Sequence, residues 1–387
     1  MKNLVIMHGG GPTAVINSSL YGAICEAKKS HEIDSIYAAQ SGVAGIFADK
    51  FIDLTNVSES DLALLKRTPG SAIGTGRDHL EPEDYEKLAK ILQQKEIAYV
   101  LMTGGNGTMD TAKKLSVACM KRGIVVVGIP KTMDNDLSLT DHSPGFPSAA
   151  RYLAGSVKEV AQDVKGLAIH VVVIEAFGRD AGWICASSAL AREKKGDAPH
   201  MILCPEQAFD EADFLSQVKR LYDKNGAAVV VASEGLRYKD GTPIVDPVFS
   251  IGRSVYFGDV SSHLAQLITK KLGIKARSEK PGLLSRASMM WSSDVDIEEA
   301  VSCGRVAVQL ALEYKNGYMP VILRKSTEPY QVDIVGREIN ASILEAKTMP
   351  PEYLDTENYD VSPEFITWLK PLVKPELQHY VSFIQED

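Results

Sequence analysis

No apolar run in the 387 residues approaches the roughly 18 needed to cross a bilayer, and the chain enters a strand pattern at once, with no basic-then-apolar leader. Those absences point to a cytoplasmic protein with no membrane partner. Positive charge is also in short supply: 42 Lys and Arg against 50 Asp and Glu, spread along the chain, leave no basic tract for nucleic acid. Cysteine is scarce. The five (Cys25, Cys119, Cys185, Cys204, Cys303) are odd in number and widely spaced, with no CxxC pair, which predicts reduced core thiols and excludes a disulfide framework. Internal repeats and low-complexity segments are absent. So are both common nucleotide fingerprints: there is no GxxxxGK[ST], and no GxGxxG followed by an acidic residue about 20 positions on. A P-loop ATPase and a Rossmann dehydrogenase are set aside.

What is present is an ordinary globular composition, 45% hydrophobic and 24% charged, in a chain long enough for two cores. Short β-branched runs, each followed by a glycine turn and a helical pattern, give the rhythm of βα units around a parallel sheet. Strands are predicted at residues 3–7, 98–103, 124–129, 168–175, 200–204 and 228–232, and helices over 82–94 and 108–122. The fold class that follows is α/β, with two doubly wound Rossmann-like domains on parallel or mixed sheets. Pro144, Gly145 and Pro147 mark residues 136–147 as a crossing between them.

Three glycine turns stand at strand ends, where parallel sheets bind ligands and bare backbone N–H groups can approach phosphate oxygens. They are Gly9-Gly10-Gly11-Pro12-Thr13, Gly104-Gly105-Asn106-Gly107-Thr108, and Gly128 to Pro130 leading into Lys131-Thr132-Met133-Asp134-Asn135-Asp136. One such turn is explained by turn geometry alone; three in one domain point to a phosphate-bearing ligand. In the third, Asp134 and Asp136 flank Asn135 beside Lys131, so acids and a base converge. Phosphoryl transfer uses such a set: a carboxylate to deprotonate the attacking hydroxyl, Mg²⁺ across donor oxygens, and cations against developing charge. The plain alternative is a solvated acidic turn.

With these motifs assembled, and with Phe177-Gly178-Arg179-Asp180-Ala181-Gly182-Trp183 and Ser233-Glu234-Gly235, the chain resembles the phosphofructokinase superfamily from end to end. The wording of Gly11 to Asn17 and of Thr140 to Phe146 is similar to the bacterial branch that usually takes pyrophosphate. The resemblance implies the phosphofructokinase fold, Mg²⁺ with Asn106 as a ligand, and an assembly of at least two subunits, a homodimer or homotetramer. It implies Asp134 as general base on the sugar C1 hydroxyl, with Thr132 and Asp136 beside it and Arg179 stabilising the transferring group. Gly10, Gly11, Arg77, Gly105, Asn106, Gly107, Thr108 and Lys131 would surround the donor. Phe177, Gly178, Glu234, Arg277, Arg286 and His170 would hold the acceptor. The implied donor domain is residues 1–144 plus about 285–335, and the acceptor domain 145–284 plus about 336–387.

Several positions depart from that pattern. Pyrophosphate users of the branch typically carry an Asp where Gly107 stands, whose charge and bulk exclude a nucleotide; Lys131, conversely, is a residue those users place against the donor. Weighing an unscreened carboxylate at several kcal/mol in a desolvated site, ATP is the expected donor and pyrophosphate the alternative. Phe177 stands for a Met, Asp180 for a more common His, His170 for a basic Arg or Lys, and Leu283 for a polar ligand. Fewer fixed cations weaken the grip on a sugar monophosphate. Fructose 6-phosphate is the expected acceptor, with another ketose phosphate, or a noncatalytic sugar-phosphate sensor, as the alternatives.

Overall fold

The computed structural model describes residues 2–251 and 254–384; residues 385–387, included in the expected acceptor domain, lie outside them. Two compact units are present, residues 1–148 with 286–347, and 149–285 with 348–387. Strands β1 (Asn3–His8), β2 (Ile36–Ala39), β3 (Phe51–Asp53), β4 (Ile97–Gly104) and β5 (Val125–Pro130) belong to the first unit. The second holds β6 (Val171–Ala176), β7 (Met201–Leu203), β8 (Ala228–Ser233), β9 (Pro247–Ile251), β10 (Ser254–Phe257) and β11 (Ala276–Glu279). The chain then returns to the first for β12 (Tyr318–Thr327) and β13 (Tyr330–Glu338).

In the first unit the order is β13-β12-β5-β4-β1-β2-β3. Neighbours from β12 to β2 run parallel, and both edges, β13 on β12 and β3 on β2, are antiparallel. The second unit is wholly parallel over β11-β6-β8-β7. The α/β class and mixed sheet thus agree with expectation. Successive strand residues face opposite ways, so Leu4 and Ile6 enter one core with Tyr99 and Leu101, while Val5 and Met7 enter another with Val100 and Met102. The helices Ile16–Ala27 and Asp294–Leu312 cover the first face; Pro82–Gln94 and Asn106–Met120 cover the second.

Three local differences from the sequence reading have simple causes. The strand expected from 168 begins at Val171, because Ala168 and Ile169 remain outside the ladder and Ile169 is exposed. The helix expected from 108 starts at Asn106, with Gly105 as its N-cap. The β12–β13 hairpin lies outside the predicted strands although Tyr330 to Ile334 alternates apolar and polar residues, since an antiparallel edge pair does not follow the βα rhythm of the parallel strands. Cys119, Cys185, Cys204 and Cys303 are buried and Cys25 half-buried, all as free thiols. Among the described residues no helix is long and apolar enough to cross a membrane.

The helices Ile16–Ala27 and Asp294–Leu312 approach through glycine. A Cβ on Gly22 would overlap the Val301 carbonyl, and one on Gly304 would lie 2.8 Å from Ala23 N. Backbone cannot rotate away as a side chain can. Gly22→Ala should therefore destabilise the protein by about 2 kcal/mol through overpacking, despite the ~1 kcal/mol that alanine adds to a helix. An unchanged urea midpoint would contradict this.

Candidate active site

Every residue assigned to the donor lies in the first unit, at one end of its sheet. β1 and β4 stop together: Gly9 N–H donates to Thr103 O at 2.8 Å, and Lys131 N–H, just after β5, donates to Gly104 O at 3.0 Å. Gly10 N–H reaches Gly76 O at 2.8 Å, and Thr75 Oγ1 donates to Gly10 O at 2.7 Å, which brings in the Gly74-to-Arg77 turn. Asn17, at the end of the first motif, holds the segment leading into that turn by donating to Thr68 O and Gly70 O. Glycine is required here for close approach. The Thr108 side chain fills the space that a Cβ on Gly9 or Gly104 would occupy. Gly105 caps a helix whose first turn has neither a side-chain cap nor an acid, so its N–H groups and partial positive charge are open to an anion. Gly107 is exposed, and a Cβ there would meet nothing within 4 Å.

Lys131 crosses this cluster. It is buried, and its Nζ donates to Gly11 O at 2.6 Å. Burial pulls its pKa down to about 8, against the raising influence of Asp134 and Asp136 and with help from the nearby Arg286 and Arg77. Arg286, expected with Arg277 at the acceptor's phosphate, has its guanidinium against Gly11. His8, passed over in the sequence, is fully buried, 2.8 Å through Nδ1 from Ser71 Oγ. Burial, then Lys131, pushes it down to about 3, so it stays neutral.

The acidic turn has defined local geometry. Asp134 N–H donates to Thr132 Oγ1 at 3.1 Å, and Asn135 takes φ +54°, a left-handed position that Asn tolerates. Asn106 Nδ2 donates to Asp136 Oδ2 at 3.1 Å and Asp136 O at 3.3 Å, leaving Asn106 Oδ1 and Asp136 Oδ1 buried without a partner. Two orphaned oxygen acceptors on hydrogen-bonded side chains suit a hard cation: Mg²⁺ is commonly held by one or two protein oxygens, substrate phosphates and water.

The second unit assembles its own set where β6 and β8 end. Ser233 Oγ donates to Gly178 O at 2.6 Å and accepts from Gly235 N–H at 3.0 Å, tying the Phe177-to-Gly182 turn to the Ser233-to-Gly235 turn. A Cβ on Gly235 would collide with the Arg179 carbonyl. Arg179 is thereby fixed near Glu234, whose carboxyl is pushed up by burial and pulled back by Arg179. Gly178 holds φ +116°, closed to other residues. His170 is buried; burial, then Arg277 and Lys275, hold its imidazole below the usual range, so it adds no fixed charge at neutral pH. Arg277 is exposed on β11, whose neighbour is β6. Asp180 and Leu283 are exposed.

The Phosphofructokinase family model matches residues 3–311. Two bacterial proteins called pyrophosphate–fructose 6-phosphate 1-phosphotransferase are similar over nearly the whole chain. That of Xanthomonas campestris pv. campestris (strain B100) is 38% identical, over 97% of this chain and 92% of its own. That of Rhodospirillum rubrum is 36% identical, over 96% and 94%. A crystal structure of a pyrophosphate-dependent phosphofructokinase from Marinobacter aquaeolei superposes with a TM-score of 0.88 at 33% identity, covering 100% of this chain and 94% of that one. Because Gly235 admits the Arg179 backbone, Gly235→Ala should cost about 1–3 kcal/mol by overpacking, read as a lower urea midpoint; a wild-type midpoint would mean the two turns are not pressed together.

Proposed function

Because the chain belongs to the phosphofructokinase family, we propose that it transfers a phosphoryl group from pyrophosphate to the C1 hydroxyl of fructose 6-phosphate. The observation that carries this is the meeting, in the first unit, of the three strand-end turns with the segment from Lys131 to Asp136. Asp134 takes the C1 hydroxyl proton as the new P–O bond forms, the bridging P–O bond of the donor breaks, and phosphate leaves. Lys131 and Arg286 lie against the donor turn and offset charge there. From the second unit the reading takes Arg179 for the transferring group, Phe177, Gly178 and Glu234 for the sugar, and Arg277 with His170 for its phosphate. The first unit is accordingly the donor domain and the second the acceptor domain, in an assembly of at least two subunits.

The preference for ATP drawn from Gly107 gives way to pyrophosphate. Relatives at 38% and 36% identity carry pyrophosphate in their names, and Lys131 is buried on the donor turn. Gly107 faces open space, so nucleotide is not sterically barred, and its open face is the one feature favouring ATP. Asn106 and Asp136 would hold Mg²⁺ through their orphaned oxygens. When bound, the ion would screen the charge of the donor oxygens.

A donor panel on purified protein tests the reading: kcat/KM with fructose 6-phosphate should be higher for pyrophosphate than for ATP, and the reverse order would return the donor to ATP. Binding without turnover would favour a sensor. Lys131 is charged below about 8, so the donor KM should rise as pH climbs through that value. Lys131→Met should raise this KM by about 10- to 100-fold, the scale of a charged hydrogen bond, and remove its part of the pH dependence; parallel profiles for the two proteins would refute the role. Asp134→Ser should lower kcat by about 10²- to 10⁴-fold with the fold intact. Near-normal turnover in that variant would exclude Asp134 as the base.

A further inference from the structure

The turn carrying Asp134 does not hold its shape alone. Residues 140–145 return beneath it as a buried strap. Pro144 O accepts from Thr132 N–H at 3.2 Å, and Ser143 N–H donates to Asn135 Oδ1 at 3.0 Å, so the residues on both sides of Met133 and Asp134 are tied to the strap. The strap is in turn anchored at His142, which is fully buried and plays no part in the chemistry above. Its Nδ1 lies 2.8 Å from Asp141 Oδ2 and its Nε2 2.6 Å from Glu299 Oε2. Each carboxylate is itself held. Arg324 of β12 donates to Asp141 Oδ2 from Nε and Nη2, and the Tyr330 hydroxyl of β13 donates to Glu299 Oε1 at 2.6 Å.

A neutral imidazole has one N–H, so one ring nitrogen would present a lone pair to a carboxylate. Both contacts are satisfied only by the doubly protonated ring. We propose that His142, as an imidazolium clamped between Asp141 and Glu299, is a positioning residue that sets the turn carrying Asp134 by holding the strap in register with Thr132 and Asn135. This rests on the assignment of Asp134 as base. Burial alone opposes the charge, but Glu299 and Asp141 overcome it and leave His142 pushed up to about 9.

The groups facing the ring come from every packed element: Asp141 on the strap, Glu299 on the Asp294–Leu312 helix, and Arg324 and Tyr330 on the hairpin. Beyond these, Lys347 Nζ donates to Thr140 O and Asp141 O, and Asp296 Oδ1 and Oδ2 accept from Gly145 and Ser148 N–H. Two cations, Arg324 and Lys347, thus balance the acids that face the imidazolium. The strap's hydrogen bonds run to Thr132 and Asn135 of the acidic turn, while on the first donor turn Gly145 only packs against the Thr13 side chain, so loss of the clamp should act chiefly on turnover.

The test has two arms. Nitrogen NMR of imidazole-labelled full-length protein at pH 7.5 should find both His142 nitrogens protonated, and a single neutral tautomer would overturn the proposal. His142→Gln, neutral and similar in size, should lower kcat by about tenfold or more, the scale of a misplaced reacting group, while both KM values stay within about threefold. A kcat within twofold of wild type overturns it, as does a change confined to KM. Should that variant fail to fold, Glu299→Gln is judged by the same criteria, since it removes the partner on Nε2 and leaves the ring. Asp134→Ser measured alongside separates the two failures: if it retains turnover, the base assignment falls and this inference with it, whereas an Asp134-dependent enzyme that tolerates His142→Gln sinks this inference alone.

Discussion

Gly9 and Gly104 have no room for a side chain because Thr108 fills the space each Cβ would take. That exclusion brings the ends of β1 and β4 to one level beside the uncapped start of the Asn106–Met120 helix, whose first N–H groups are open. Much of the first unit's chemistry follows from it. Lys131 can lay its ammonium on the Gly11 carbonyl because the Gly9-to-Gly11 turn lies close against the end of β5, and Asn106 can reach Asp136 because the helix begins at the strand end. An enlarged residue at either glycine would separate the turns, and the cluster would lose its cation, its oxygen pair and its open amides together.

Burial of charge supplies the second layer. Lys131 gives up part of its affinity for a proton because it is buried on the donor turn, and His142 keeps its proton only because two carboxylates face it. A buried ion is costly unless paired and hydrogen-bonded, so such groups hold definite positions. Asp296 illustrates the opposite case. Burial raises its carboxyl to about 6 although two backbone N–H groups bind it, and the helix that carries it also carries Glu299. The glycine crossing at Gly22 and Gly304 seats that helix, and Val301, which Gly22 meets, lies close to Glu299 in the chain, so a close backbone contact on one face of the sheet bears on the strap.

Much of this was legible in the residues. The β-branched runs at β1, β4, β5 and β8 were recovered nearly end to end, because a buried parallel strand needs a continuous apolar stretch and its glycine turn marks where it stops. The donor glycines and the acidic turn were legible for the same reason: they are contiguous in the chain. The start of β6 and the β12–β13 hairpin were not: Ala168 and Ile169, which lead toward β6, are exposed, and an antiparallel edge hairpin falls outside the βα rhythm that marks the parallel strands. The sequence assigns no role to His142, because the groups that fix its charge and place, Glu299 and the Arg324 and Tyr330 side chains that hold its two carboxylates, are remote in the chain.

By itself, then, the sequence determined the α/β class, the strand-end turns and the chemical types gathered in the segment from Lys131 to Asp136, all properties of short stretches governed by local sterics and periodicity. Only the tertiary structure decided that Lys131 points at Gly11, that Arg286 keeps company with the donor turn, and that a histidine outside the motif is held between two acids. The physical reason is that side-chain direction and ionisation depend on neighbours brought close by sheet order and helix packing, and those neighbours come from distant parts of the chain.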